Sequence, residues 1–182
     1  MLPDGFLGKT ACCFTGHRPA GLPDGGDERS PKVDLLKYRL LHAVEETVQG
    51  GVRTFLCGGA PGFDLFAGEA VLALRGDYPG LQLILALPSK TQSEGWPEAL
   101  QKRYARILEN ADACHYASEN DNSSVSMFSR NRYLVDHGDC CIAYLTRMSG
   151  GTLYTVNYAL EQNIPVWNLA QAQSVSCALD NT

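Results

Sequence analysis

Apolar residues are distributed along this chain in two alternating patterns. Short continuous blocks read as buried strands: Thr10–Thr15, Val52–Cys57, Leu81–Leu87, Ala111–Tyr116, Cys140–Leu145 and Pro165–Asn168. Between them lie stretches with apolar residues three or four places apart, the spacing of one helix face. Val33, Leu36, Leu40, Ala43, Val44 and Val48 form such a stripe within Lys32–Gln49. Ser30-Pro31 is a helix start and Gly50-Gly51 a stop. Further helices are expected over Phe63–Leu74, Trp96–Asn110, Val125–Asp136 and Gly151–Gln162. Pro19–Pro31, rich in Gly, Pro and Asp, reads as a loop, and so does the polar Glu119–Ser123. The alternation predicts a single α/β domain: a Rossmann-like three-layer fold with a mostly parallel, doubly wound sheet over residues 10–170. Residues 1–9 form an N-terminal extension and 171–182 a polar, frayed tail in this reading.

In such a fold ligands bind beyond the C-terminal ends of the strands, where the strand order switches. Four turns fall at that edge. They are Thr15-Gly16-His17-Arg18-Pro19, Cys57-Gly58-Gly59-Ala60-Pro61-Gly62-Phe63-Asp64, the helix start Ser129-Arg130-Asn131-Arg132, and Ser149-Gly150-Gly151-Thr152. Glycine at such a turn permits positive φ and close approach of a ligand to the backbone. The N–H groups of the following helix start are unpaired and partly positive, which suits an anion. Arginine adds a planar fork that matches phosphate oxygens. Each feature also has a plain structural use. Gly-Gly makes tight turns, Asp64 and Thr152 suit helix caps, and His17-Arg18 or Arg130 and Arg132 suit a solvated face. Their convergence on one sheet edge favours a phosphate-bearing ligand, with Gly16, His17, Arg18, Gly58, Gly59, Gly62, Asp64, Arg130, Asn131, Ser149, Gly150, Gly151 and Thr152 as candidates.

Composition narrows the choice. The 182 residues carry a formal net charge of −5, which gives no overall field toward nucleic acid or anionic membranes. No apolar run approaches the length of a membrane span, and the N-terminus lacks a signal-peptide pattern, so a cytoplasmic protein is expected. Seven cysteines include Cys12, Cys13, Cys57, Cys114, Cys140 and Cys141 in strand-like runs. These read as reduced core thiols, since no CxxC or zinc spacing is present and no metal is expected. G-x-G-x-x-G after the first strand, G-x-x-x-x-G-K-[ST] and G-x-S-x-G are all absent, which argues against dinucleotide redox enzymes, P-loop NTPases and α/β-hydrolases.

The stretch from Phe128 to Ala170 resembles the Rossmann core of DprA, the DNA-processing protein, with its arginine–asparagine–arginine segment and serine–glycine turn. CGGAPGFDLFAGEAVL looks like the matching glycine-and-aspartate turn. FTGHRP and the short length are closer to YpsA-like proteins. All belong to the SLOG superfamily, which includes the LOG-type, formerly lysine decarboxylase-like, phosphoribohydrolases. The resemblance implies a site for a nucleotide or an ADP-ribose-like ligand, and homo-oligomers by analogy. LOG-type enzymes place a glutamate after their glycine–threonine pair, where this chain has Thr155. The next acid in that helix is Glu161, so a group to assist N-glycosidic cleavage is missing.

The expected function is therefore binding or sensing of a nucleotide-type ligand, and no cofactor is assigned beyond a nucleotide or ADP-ribose-like ligand. A nucleotide hydrolase is the first alternative. Asp64 or Glu69 would then supply acid–base chemistry, although five residues of helix put them on different faces. A DprA-like single-stranded DNA module is the second alternative, with Arg130, Arg132 and Arg147 as a diluted basic patch. Trp96 and Trp167 read as packing residues, and Arg103 and Tyr104 as candidates for a subunit contact.

Overall fold

A computed structural model describes residues 1–119 and 123–171. Six strands and five helices alternate along the chain. β1 is Ala11–Gly16 and, after two short 3₁₀ turns, α1 is Pro31–Gln49. β2 (Thr54–Cys57) leads to α2 (Phe63–Leu74), and β3 (Gln82–Leu87) to α3 (Glu98–Asn110). β4 (Ala113–Tyr116) precedes α4 (Ser124–Asp136), β5 (Cys140–Tyr144) precedes α5 (Gly151–Glu161), and β6 is Val166–Asn168. Every expected element is present, with boundaries shifted by two residues or fewer. The loop expected at Glu119–Ser123 and the frayed tail fall largely outside the described residues.

The sheet order is β4-β3-β2-β1-β5-β6, and every pairing is parallel. The chain builds outward from β1 to β4, then crosses back over the sheet to β5. Right-handed crossovers then put α1, α2 and α3 on one face and α4 and α5 on the other. Helix contacts follow that division. The strand period of two sorts the apolar residues between the faces. Cys12, Phe14, Phe55, Cys57, Leu83, Leu85 and Ile142 face the larger core. Cys13, Leu56, Ala86, Cys141 and Ala143 face the smaller one. Both faces are covered, which explains the unbroken apolar runs.

Two side-chain expectations need correction. Cys114 is exposed, unlike Cys12, Cys13, Cys57, Cys140 and Cys141. It stands on β4, an edge strand with a neighbour on one side only. Tyr104 is buried edge-on to Trp96, and Arg103 pairs with Glu69 and Glu28 while lying over Phe66. Those two side chains are consumed within the fold and do not wait for a subunit. Trp96 and Trp167 pack against the larger core, Trp167 edge-on to Phe6.

Phe14 and Phe55 stack with centroids 5.6 Å apart where β1 and β2 meet α1 and α2, and both are fully buried. Truncating Phe55 leaves a cavity that this covered sheet cannot close. Phe55→Ala is expected to cost about 3–5 kcal/mol, read as a lowered urea midpoint with an unchanged slope.

Candidate functional site

The strand order reverses between β1 and β5, so their C-terminal ends open a crevice. A cavity of about 470 Å³ lies there. Among the candidates from the sequence, Gly16, His17, Arg18, Asp64, Arg130, Asn131, Ser149, Gly150, Gly151 and Thr152 line it. Gly58, Gly59 and Gly62 do not. Their absence of side chains serves close packing behind the wall. Gly62 has φ +96°, and a Cβ there would come within 2.7 Å of the His17 carbonyl oxygen. The Phe63 N–H donates to that same oxygen at 3.1 Å, so the first and second turns sit back to back. A Cβ on Gly58 would overlap the Arg130 guanidinium.

The reading of Ser129-Arg130-Asn131-Arg132 as a helix start needs correction, whereas the helix expected over Val125–Asp136 is present. α4 begins at Ser124, so Ser129, Arg130, Asn131 and Arg132 occupy its second and third turns. The helical period separates them. Arg130 turns inward and is only 7% exposed, whereas Arg132 is exposed and donates from Nε to the Tyr154 hydroxyl at 2.7 Å. Arg130 Nη1 donates to the Gly58 carbonyl at 2.7 Å and lies 3.6 Å from Asp64 Oδ2. That carboxylate also accepts from the Ala60 N–H at 3.3 Å. Burial pushes the Asp64 carboxyl above its usual range, against the pull of Arg130. It lowers Arg130 likewise, against the pull of Asp64. Gln92 Nε2 closes the far side by donating to the Gly58 and Gly59 carbonyls at 3.3 and 3.1 Å. Arg130 Nε, though buried, has no hydrogen-bond partner among the described residues. An unpaired buried donor costs on the order of 1–3 kcal/mol.

The N-terminus of α5 forms another part of the wall. Gly150 takes φ +87° at the cap, and no side chain caps this end. Thr152, a candidate cap, instead meets His17 Nδ1 through its Oγ1 at 3.4 Å. His17 Nε2 accepts from the Thr146 N–H at 3.0 Å. An N–H can only donate, so the proton of the neutral ring sits on Nδ1 and is directed at Thr152. One imidazole thus ties the β1 turn to both ends of the β5–α5 loop. Burial, helped by nearby Arg147, lowers the His17 pKa. Arg147 Nη2 donates to the Ala20 carbonyl at 2.6 Å and holds the loop after β1 against the same rim.

Sequence reasoning missed the apolar wall. Met127, Phe128 and Leu134 line the cavity from α4. The signal was available, because 127, 130, 131 and 134 share one face at helical spacing. Thr155 is buried and donates to the Gly151 carbonyl at 2.9 Å, so no carboxylate stands at that point of α5. Of the two acids considered, Asp64 lines the cavity and Glu69 is held by Arg103.

Comparison with known proteins places the chain. A family model, that of the YspA SLOG family, matches residues 12–167. The chain belongs to this family. It is 31% identical over 143 residues to the uncharacterized SPbeta prophage-derived protein YoqJ of Bacillus subtilis (strain 168), covering 72% of this chain and 84% of YoqJ. It is 28% identical over 147 residues to a UPF0398 protein of Bacillus thuringiensis (strain Al Hakam), covering 80% of this chain and 79% of that protein. DNA processing protein A from Helicobacter pylori, described for its single-stranded DNA binding mode, superposes with a TM-score of 0.62 at 19% identity. That match covers 95% of this chain and 71% of that protein, and it shows a shared fold. No described helix is long and apolar enough to cross a membrane.

Two outcomes are expected from this geometry. Because the folded-state pKa of His17 is lowered, the unfolded chain takes up its proton first as pH falls. The stability due to neutral His17 is complete above about pH 6.5 and is lost as pH falls below that value. Urea midpoints measured between pH 7.5 and 5 should show this decline in the wild type and a flatter profile in His17→Gln. Gly58→Ala should displace Arg130 and lower stability by about 1–3 kcal/mol, although residue 58 does not face the cavity.

Proposed function

We propose that this SLOG domain binds a nucleotide or nucleotide-derived ligand in the β1/β5 crevice, with a phosphate between Arg130 and the start of α5. The observation that carries the reading is the Nε of Arg130, buried beside the cavity and left without a described partner. Nη1 is spent on Gly58 and Asp64, which leaves the Nε edge of the fork for an anion. The uncapped α5 start supplies backbone N–H groups and the positive end of a helix dipole. Arg18 and Arg147 add positive charge at the rim. The cavity volume is within the range of small-ligand sites.

Gly16, His17, Asp64, Asn131, Ser149 and Thr152 shape the site in this reading. Gly58, Gly59 and Gly62 support it from behind. Thr155 in place of a glutamate favours binding or sensing over N-glycosidic hydrolysis. A single-stranded DNA role finds less support: the net charge is −5, and Arg130 and Arg132 are turned apart on their helix. Association with a second copy is carried by the family resemblance alone.

Calorimetric titration with AMP, GMP, CMP, UMP, ADP-ribose and NAD is the test. At least one should bind below millimolar concentration. Arg130→Lys retains the charge beside Asp64 but loses the fork. It should weaken that ligand by about 10- to 100-fold, the equivalent of a charge-assisted hydrogen bond of about 1.5–3 kcal/mol. No binding by the folded wild-type protein, or unchanged affinity in a folded Arg130→Lys, would remove this reading.

A further inference from the structure

We infer that Phe128 is the stacking face for an aromatic base, so that the site selects nucleotides over bare sugar phosphates. The inference rests on the preceding proposal that an anionic group sits at Arg130. Phe128 is 41% exposed, and it is the exposed large apolar side chain among the described lining residues. It belongs to neither core cluster, so packing of the sheet does not account for it. It precedes Arg130 by two helical positions, so the two side chains leave α4 in different directions, yet both line the one cavity of about 470 Å³. That volume is within the range of small-ligand sites, so one ligand there can meet both residues.

The ring is also held in place. Tyr154 meets it edge-on, with centroids 4.6 Å apart and planes at 63°. The Tyr154 hydroxyl accepts from Arg132 Nε at 2.7 Å, and the Tyr154 ring stacks on Tyr158 at 6.4 Å. Tyr158 in turn donates to Asp136 at 2.8 Å and lies under the Arg132 guanidinium. This chain of contacts runs from α4 to α5 and fixes an exposed aromatic surface before any ligand arrives. A pre-set ring loses little freedom on binding, which makes stacking more favourable than on a mobile side chain. Met127 adds a polarisable wall on the same helix. Asn131 lies one turn beyond Phe128 and also lines the cavity. Its amide offers a donor and an acceptor to a base edge or ribose hydroxyl. A flat heteroaromatic group that carries a phosphate satisfies all these surfaces together. An aliphatic phosphate would leave the Phe128 face unused.

The test compares ribose 5-phosphate with AMP, GMP, CMP and UMP by calorimetry on the wild type, Phe128→Ala and Phe128→Trp. The best nucleotide should bind the wild type at least tenfold more tightly than ribose 5-phosphate, in keeping with the worth of one stacked base. Phe128→Ala should erase most of that advantage, with ribose 5-phosphate affinity held within about twofold of wild type. Phe128→Trp should keep the advantage. An unchanged nucleotide-to-sugar-phosphate ratio in Phe128→Ala overturns the inference, as does a wild type that binds both classes equally. In those cases the phosphate reading stands. If neither class binds the wild type, this inference falls, and the ADP-ribose and NAD titrations decide whether the preceding reading stands.

Discussion

One buried guanidinium organises the site. Arg130 is carried by α4 on one face of the sheet, yet it reaches the carbonyl of Gly58 at the end of β2 and the carboxylate of Asp64 in α2. A cation in that position is tolerable only if it is partnered, because desolvation would otherwise cost several kcal/mol. The fold meets this demand in part. It removes the side chain at residue 58, turns the Gly58 carbonyl inward, and sets Asp64 behind it. The buried Nε keeps no described partner beside the cavity, and the proposed chemistry grows from that atom.

The remaining wall depends on how the chain returns to the sheet. The crossover from β4 to β5 reverses the strand order beside β1 and brings α5 to face the β1 turn. His17 closes that junction. Its neutral ring holds Thr146 and Thr152, residues 129 and 135 positions away in sequence. The α5 start is thus kept open toward the cavity, and Thr152 is drawn off from the capping role its position suggests. Electrostatics and topology act on the same place: a dipole end, a buried arginine and two rim arginines converge where an α/β sheet parts.

Much of this was legible in the sequence. The six apolar runs between helical stripes gave the elements to within two residues, because strands covered on both faces need apolar side chains at every position. The strand order was not legible, and neither was Cys114 on an exposed edge, since an edge strand differs from an interior one only in its neighbours. At the site, glycine turns and arginines were recognisable by type. Their roles were not. Gly58, Gly59 and Gly62 read as ligand contacts, and the structure sets them behind the wall, where a Cβ would strike Arg130, Tyr104 and His17. Arg130 and Arg132 look alike by type, but two positions of helix turn one inward and the other outward, and only the packing of α4 shows which is which. The Phe128 surface was not legible, because an apolar residue in a helix does not reveal from sequence whether it stays exposed.

The most direct test of the account is a crystal structure with the tightest-binding nucleoside monophosphate. The account predicts its phosphate within hydrogen-bond distance of Arg130 Nε and the backbone N–H groups at Gly151 and Thr152, with the base against Phe128. A phosphate bound elsewhere, with Arg130 Nε still unpartnered, would contradict it.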